Sequence, residues 1–220
     1  MPNAPDDRGA PLPEPATRSG QGAYEVLAGQ ARAELTVERS RFLAEAVPAP
    51  DADAARESVL SAQRVHHDAR HVCWGWRGGA GATLRELRSD GGEPGGTAGE
   101  PILNALRRLN LTNAVVTVAR WFGGVKLGTG RLARAYAACA AAALADAPRR
   151  VVVPGREAQL ACSYPLEKTV ARLVAEHGGR VVAQEYGVLV SWRVWLPEST
   201  REIFASRLAD ITAGAVRLVD

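Results

Sequence analysis

We predict an α+β chain of two domains, and three observations support this class. Strand-like and helix-like segments follow one another along most of the 220 residues. Two glycine-rich stretches, over 89–101 and 120–130, each lead into an apolar helical pattern. After a change in character over 149–155, the predicted order is β-α-β-β-α-β, which is the ferredoxin-like arrangement.

The chain divides into four predicted parts. Residues 1–20 carry prolines, glycines and few apolar anchors, which is typical of a disordered tail. We expect an N-terminal domain over 21–147, a linker over 148–155 and a C-terminal ferredoxin-like domain over 156–220. The sequence shows no internal repeat between the two halves.

The elements of the N-terminal domain are predicted from apolar periodicity and from turn residues. Asp51 occupies the N-cap position of the first helix, and Pro101 lies in the first turn of the second. The apolar run 114–119 is continuous, which is typical of a central strand. We place the strands at 24–27, 33–37, 42–47, 70–76 and 114–119, and the helices at 51–64, about 100–109 and about 129–145.

The C-terminal domain is predicted in the same way. A helix starts near Leu166 and ends at the Gly178-Gly179 pair, and Ser199 with Glu202 forms a capping box that opens a second helix. We place the strands at 158–162, 180–183, 188–196 and 215–219.

Composition excludes several classes of protein. With 46% hydrophobic and 23% charged residues and a net charge of +3, the chain is ordinary for a globular protein. No apolar run approaches the ~20 residues of a membrane helix, and the start has no apolar signal segment. The three cysteines form no CxxC pair, which argues against a disulfide framework and a zinc ribbon. We therefore expect a cytoplasmic protein that makes no membrane contact.

The positive charge is unevenly distributed. No Asp or Glu occurs over 101–145, whereas six cations do: Arg107, Arg108, Arg120, Lys126, Arg131 and Arg134. Such a segment favours an anionic partner such as RNA. A solvated basic face is the alternative explanation.

The glycine-rich stretches are the second indication of an anionic ligand. Free N–H groups ahead of a helix attract anions, because the helix dipole adds to their hydrogen-bonding capacity. The alternative is that each stretch is only a tight strand-to-helix turn. The candidate anion- or nucleic-acid-binding residues are Arg70, His71, Gly95, Gly96, Thr97, Arg120, Lys126, Gly128, Gly130, Arg131 and Arg134.

Catalytic and metal signals are weak. Asp90 and Glu93 flank glycines in the first stretch and are the only acid–base candidates. The glycines spell neither a Walker A motif nor a dinucleotide-binding GxGxxG. The cluster over 66–73 has no zinc spacing, so we predict no metal and no cofactor. Three tryptophans could stack on bases, although core positions are the commoner role: Trp74, Trp76 and Trp121.

Four ordered motifs resemble the IMPACT/YigZ family. They are Ser40-Arg41-Phe42, then His66-x-Asp68-Ala69-Arg70-His71-x-Cys73, then Ser89-Asp90-x-Gly92-Glu93-Pro94-x-Gly96-Thr97-Ala98-Gly99-x-Pro101, then Arg120-x-x-Gly123-Gly124-x-x-Leu127-Gly128-x-Gly130-x-Leu132-x-x-Ala135-Tyr136. The resemblance covers about 21–147, and the remainder is similar to the small ferredoxin-like domain of bacterial members. Two positions depart from the family pattern: Gly91 replaces a second Asp, and Arg131 replaces a Gly.

The resemblance implies a fold and a class of function. The N-terminal domain would be similar to the second domain of ribosomal protein S-five and to a domain of the translocation factor G, whose ferredoxin-like modules the C-terminal domain would also resemble. Eukaryotic relatives regulate translation initiation by competing for an activator of a stress-responsive kinase, whereas bacterial members have no established reaction. We therefore expect a non-enzymatic protein that binds RNA, the ribosome or a translation factor and modulates translation or a stress response.

Two alternatives stay open from the sequence. One is an enzyme that acts on a small phosphorylated or peptide-like substrate, with Asp90 and Glu93 as acid–base groups. The other is a protein-interaction module that uses its first strands and exposed tryptophans.

Overall fold

The computed structural model describes residues 22–219. The tail predicted over 1–20 lies outside the described residues. None of the helices in the described part is long and apolar enough to cross a membrane.

Strands and helices alternate through both halves of the described chain. The strands are β1 Tyr24–Leu27, β2 Ala31–Val37, β3 Ser40–Pro48, β4 His71–Gly78, β5 Arg85–Ser89, β6 Leu111–Thr112, β7 Ala114–Trp121, β8 Arg149–Val152, β9 Gly155–Cys162, β10 Arg180–Tyr186 and β11 Val190–Pro197. The helices are α1 Ala52–Val65, α2 Gly99–Arg108, α3 Thr129–Ala145, α4 Glu167–Glu176 and α5 Arg201–Ile211.

The N-terminal domain is built on a five-stranded antiparallel sheet in the order β2-β3-β7-β4-β5. Strand β7 lies in the middle of this sheet, as its continuous apolar run predicted, and only its last residue, Trp121, is not buried. Helices α2 and α3 pack against one face and form the main core. Helix α1 packs against the other face, where Trp76 is buried.

Three features of this domain differ from the sequence prediction. The two-residue strand β6, which pairs parallel with β1, was not predicted. Strand β5 was not predicted, because its sequence Arg-Glu-Leu-Arg-Ser lies at the sheet edge and shows little apolar pattern. Residues 149–152, predicted as linker, form β8 and pair antiparallel with β1. Two arginines and two nearby prolines give this strand the composition of a linker, although all four of its residues pair with β1.

The C-terminal domain is ferredoxin-like. Its sheet has the order β10-β11-β9, and Val219 pairs with Gln159 on the free side of β9. Helices α4 and α5 cover one face and contribute to a separate hydrophobic core. The chain as a whole therefore has the predicted α+β class, with two hydrophobic clusters in the N-terminal domain, one on each face of its sheet, and one in the C-terminal domain.

Two local predictions for this domain were wrong. The segment 198–200 is a turn of 3-10 helix, so α5 begins after Thr200 and no side chain caps it. The expected Ser199–Glu202 capping box is therefore absent. The strand expected at 215–219 is reduced to the single bridge at Val219, because a helix-ending turn with Ala213 and Gly214 at positive φ precedes it.

Candidate functional site

An open cleft of about 1000 Å³ lies where β7 ends and α3 begins. We call it the β7–α3 cleft. The start of β4 and part of the first glycine-rich loop complete its walls. It is lined by Asp68, Ala69, Arg70, His71, Glu93, Pro94, Arg120, Trp121, Phe122, Lys126, Leu127, Gly128, Thr129 and Leu132.

Glycines shape the loop that joins β7 to α3. A Cβ on Gly123 would lie 2.1 Å from the carbonyl carbon of Arg39, so only glycine lets this loop pass the β2–β3 turn. Gly128 has φ +72°, a conformation that other residues rarely adopt, and it precedes the first residue of α3. The glycines of the second stretch therefore determine the path of the loop that borders the cleft.

A buried ion pair forms the floor of the cleft. The Arg120 guanidinium donates to Glu93 at 2.6 Å, and the side chains of these two residues are only 7% and 4% exposed. The Tyr136 hydroxyl donates to the same Glu93 oxygen at 2.8 Å. Arg120 also lies 3.4 Å from the hydroxyl of Ser40. The Arg120 Nε has no hydrogen-bond partner among the described residues, although it is fully buried.

Cys73 belongs to the same network. Its thiol lies 2.9 Å from the Asp90 carbonyl oxygen and 3.3 Å from the Tyr136 hydroxyl. Burial raises the pKa of Cys73 to about 12, although the Tyr136 hydrogen bond opposes this shift. Burial also raises the pKa of Tyr136, and Cys73 and Glu93 contribute to that rise. Both groups stay protonated at neutral pH, so neither is an activated nucleophile.

His71 is held at the wall of the cleft. Its Nδ1 lies 2.9 Å from the Gly91 carbonyl oxygen, which can only accept a hydrogen bond, so Nδ1 carries the proton. Its Nε2 lies 4.0 Å from a Glu93 carboxylate oxygen. The ring is thereby fixed with Nε2 on the Glu93 side.

The first glycine-rich loop is organised around Asp90. Its carboxylate accepts hydrogen bonds from the backbone N–H groups of Gly96, Ala98 and Gly99 at 2.8–2.9 Å. Burial alone would raise the pKa of Asp90, but these three bonds outweigh it and hold the pKa below its usual value. The Asp90 carboxylate thus occupies the N-terminus of α2, where the sequence predicted that an anionic ligand could bind.

The second glycine-rich loop leaves its helix N-terminus open. No side chain caps α3, and Leu132 is the first α3 residue whose N–H bonds back, to Gly128. In the described range, the N–H groups of Thr129, Gly130 and Arg131 have no acceptor. Beside this end of α3, Lys126 is exposed and makes no ion pair with any described residue. This end of the cleft therefore presents unpaired donors.

The structure brings six of the predicted site residues to the cleft lining, places the Gly130 amide at the adjoining N-terminus of α3, and places the side chains of the others elsewhere. The six are Arg70, His71, Glu93, Arg120, Lys126 and Gly128. Arg131 pairs with Glu38 and donates to the Leu127 carbonyl. Arg134 lines a different groove, between α2 and α3.

The anion-binding residues predicted in the first loop, unlike Glu93, do not line the cleft. The Gly96 amide is occupied by Asp90, and Thr97 is buried and donates to the Pro94 carbonyl. Gly95 is exposed, and a Cβ built on it would meet nothing within 4 Å. The free amides that lie beside the cleft therefore come from the second loop.

Sequence reasoning missed some members of the site. Tyr136 was noted only as the last residue of a family motif. Its position in the apolar repeat of α3 indicates that it is buried, but not that its hydroxyl contacts Glu93. Phe122, which is 49% exposed and lines the cleft, was not singled out. Of the three tryptophans, Trp121 lines the cleft, whereas Trp76 is buried and donates to the Ala49 carbonyl.

The chain matches two family descriptions that together cover both domains. Residues 38–144 match the Impact N-terminal domain, and residues 160–215 match a domain of unknown function, DUF1949. The IMPACT family member YigZ of Escherichia coli K12 is 33% identical over 184 residues, which are 83% of this chain and 90% of that protein. The chain therefore belongs to the IMPACT family, as the motifs predicted.

Further relatives and a solved structure agree with this assignment. An IMPACT family member of Haemophilus influenzae is 31% identical over 82% of this chain and 88% of its own. One from Thermus thermophilus is 38% identical over 78% of this chain and 86% of its own. A crystal structure described as that of a hypothetical protein is 30% identical, with a TM-score of 0.62 over 90% of this chain and 97% of that chain.

Proposed function

We propose that this chain binds RNA, or a ribosome-associated partner, at the β7–α3 cleft and thereby modulates translation or a stress response. The observation that carries the proposal is a set of unsatisfied donors and cations at one place. Arg70 and Lys126 lie at the cleft, and neither makes an ion pair with any residue in 22–219. The open N-terminus of α3 lies beside them. Donors of these kinds position nucleic acids by their phosphates.

The acidic groups of the cleft do not cancel this charge. Glu93 is neutralised by Arg120 at 2.6 Å, and Asp68 is the one other carboxylate in the lining. The exposed ring of Phe122 adds an aromatic surface on which a base can stack. The two weak catalytic candidates are both engaged: Asp90 caps α2, and Glu93 is locked in its ion pair. These contacts favour a binding site over the alternative of an enzyme.

Salt dependence of RNA binding tests the proposal. We expect a fluorescent RNA hairpin to bind with an affinity that falls steeply between about 50 and 200 mM salt, because bound phosphates displace counterions. The double variant Arg70→Gln/Lys126→Gln should bind more weakly and lower the slope of log affinity against log salt by about two. Lys168→Gln/Arg207→Gln removes the same charge from exposed positions of the C-terminal domain and serves as the matched control.

Three outcomes would contradict the proposal. They are no RNA binding at low salt, a salt-insensitive affinity, and equal losses in the cleft variant and its control. A large, saturable thermal stabilisation by one phosphorylated metabolite, without any response to RNA, would instead support the enzyme.

A further inference from the structure

We propose that the groove between α2 and α3 is a docking site for an amphipathic helix of a partner protein, whose apolar face is flanked by acidic residues. We call this surface the α2–α3 groove. It has a volume of about 630 Å³, and none of the described residues lines both this groove and the β7–α3 cleft. The inference therefore concerns a second surface and goes beyond the proposed function.

Small apolar side chains form the floor of the groove. On α3 they recur at every fourth residue, which places them on one face of the helix: Ala133, Ala137, Ala141 and Ala145. Pro101 and Leu109 contribute to the lining from the α2 side. Because an alanine side chain ends at Cβ, a helix laid in the groove can approach α3 closely. The floor therefore matches the apolar face of a partner.

Arginines border this apolar floor. Arg108 and Arg134 are exposed, and neither makes an ion pair or a side-chain hydrogen bond with any residue in 22–219. Arg149 donates to the Leu144 carbonyl at 2.8 Å and lies 3.8 Å from a carboxylate oxygen of Glu25. None of the described acidic residues lines the groove. Charge complementarity therefore favours a partner that carries carboxylates.

The neighbouring Arg107 shows how a cation of α2 is neutralised when it lies outside the groove. It pairs with Glu86 at 2.5 Å and with Glu100 at 2.6 Å. Arg108 and Arg134 cannot pair within their own helices at the usual spacing of three or four residues, because 101–145 contains no Asp or Glu. The positive charge at the groove is thus left available by the sequence of the two helices that form it.

The lining distinguishes a partner helix from two other occupants. In a symmetric dimer, a second copy of this chain would bring the same arginines against one another, which is unfavourable. A nucleic acid would find cations for its phosphates, but none of the described aromatic rings lines the groove for a base to stack on. An amphipathic helix uses both features, because its apolar face fits the floor and its acidic flanks reach the arginines.

A pair of designed peptides is the probe. Each has about 18 residues, or roughly five helical turns, with leucine and alanine on one face. The acidic peptide carries glutamate at all other positions, and the basic peptide carries lysine there. Binding of each fluorescein-labelled peptide to the full chain is measured by anisotropy. We expect the wild type to bind the acidic peptide at least about tenfold more tightly than the basic one.

Charge reversal tests the arginines. Arg108→Glu/Arg134→Glu should weaken binding of the acidic peptide by about tenfold or more and should reverse the preference between the two peptides. Lys168→Glu/Arg207→Glu makes the same change of charge at exposed positions of the C-terminal domain and serves as the matched control.

A second pair of variants tests the floor without changing the charge. Ala141→Gln places a longer, polar side chain in the groove, whereas Ala142→Gln places the same side chain at an exposed position of α3 outside the lining. Glutamine is a good helix former, so both variants should keep α3 intact. We expect Ala141→Gln alone to weaken binding of the acidic peptide, by about fivefold or more, because its amide would be buried against apolar side chains.

Several results would overturn the proposal. They include no binding of the acidic peptide, equal affinity for the two peptides, and equal losses in a variant and its control. Sedimentation equilibrium that shows a dimeric wild type and a monomeric Ala141→Gln would assign the groove to a second copy instead. An RNA hairpin that loses as much affinity in Arg108→Glu/Arg134→Glu as in Arg70→Gln/Lys126→Gln would assign the groove to RNA.

Discussion

Asp90 and Asp51 both accept hydrogen bonds at the start of a helix, but they differ in how many. Asp90 accepts three, whereas Asp51 accepts one, from Ala54 at 2.8 Å. We expect Asp90→Ala to lower the free energy of unfolding by about 2–4 kcal/mol and Asp51→Ala by about 1 kcal/mol. Urea denaturation followed by tryptophan fluorescence measures both. Equal losses of unfolding free energy in the two variants would show that the three hydrogen bonds of Asp90 stabilise the fold no more than the single hydrogen bond of Asp51.

The same residue makes a pH-dependent contribution to stability. Because the folded state lowers the pKa of Asp90, its contribution is fully present above the ordinary value of about 4. It is lost as the pH falls through the folded pKa. Asp90→Asn cannot titrate, so its deficit in unfolding free energy should be largest near pH 7 and shrink towards pH 3. A deficit that does not change between these pH values would contradict the assignment.

The Glu93–Arg120 pair dominates the energetics of the cleft floor, because both charges are buried. Glu93→Gln leaves the Arg120 cation buried without its counter-charge, which should cost about 3–5 kcal/mol of unfolding free energy. Arg120→Met added to that variant should recover part of the loss. A double-mutant cycle measured by urea denaturation gives the coupling. Additive losses would mean that the two groups act independently.

At the scale of elements, the loop between β7 and α3 passes very close to the Arg39 carbonyl at Gly123. Gly123→Ala would press a methyl group on the Arg39 carbonyl, so we expect a loss of unfolding free energy of about 2 kcal/mol or more. Gly95→Ala is the control, since nothing lies within 4 Å of its added Cβ and its φ is not positive. Thermal unfolding of the two variants distinguishes them. A Gly123→Ala protein as stable as the control would refute the tight passage of this loop.

Elements with a strong apolar period were predictable from the sequence, and elements without one were not. Strand β7 and helix α3 lie where their patterns placed them. Strands β5 and β8 were missed, since their exposed, arginine-rich sequences carry no apolar alternation and only pairing with a neighbouring strand makes them regular. The Ser199–Glu202 capping box was predicted from a local sequence motif. In the structure Ser199 lies inside a 3-10 turn that begins at Glu198, so it is not the N-cap residue of α5.

The candidate site was predictable in its residue types but not in their partners. The glycine loops and basic residues were visible in the sequence, and six of the named residues meet at the cleft. Which groups remain available depends on tertiary contacts. Asp90 satisfies its own loop, and Arg131 reaches Glu38 across 93 residues of sequence. No local pattern encodes these pairings, so sequence alone overestimates the number of groups that can bind an anion.

At the scale of the whole molecule, the proposed RNA site lies on one face of one domain. The main cores of the two domains are separate, and no described residue of the C-terminal domain lines the cleft. Titration of the labelled full chain with an RNA hairpin, observed by amide NMR, tests this claim most directly. We predict that the shifts concentrate on 68–71 and on 120–132. Shifts concentrated on 156–219, or none at low salt, would contradict it.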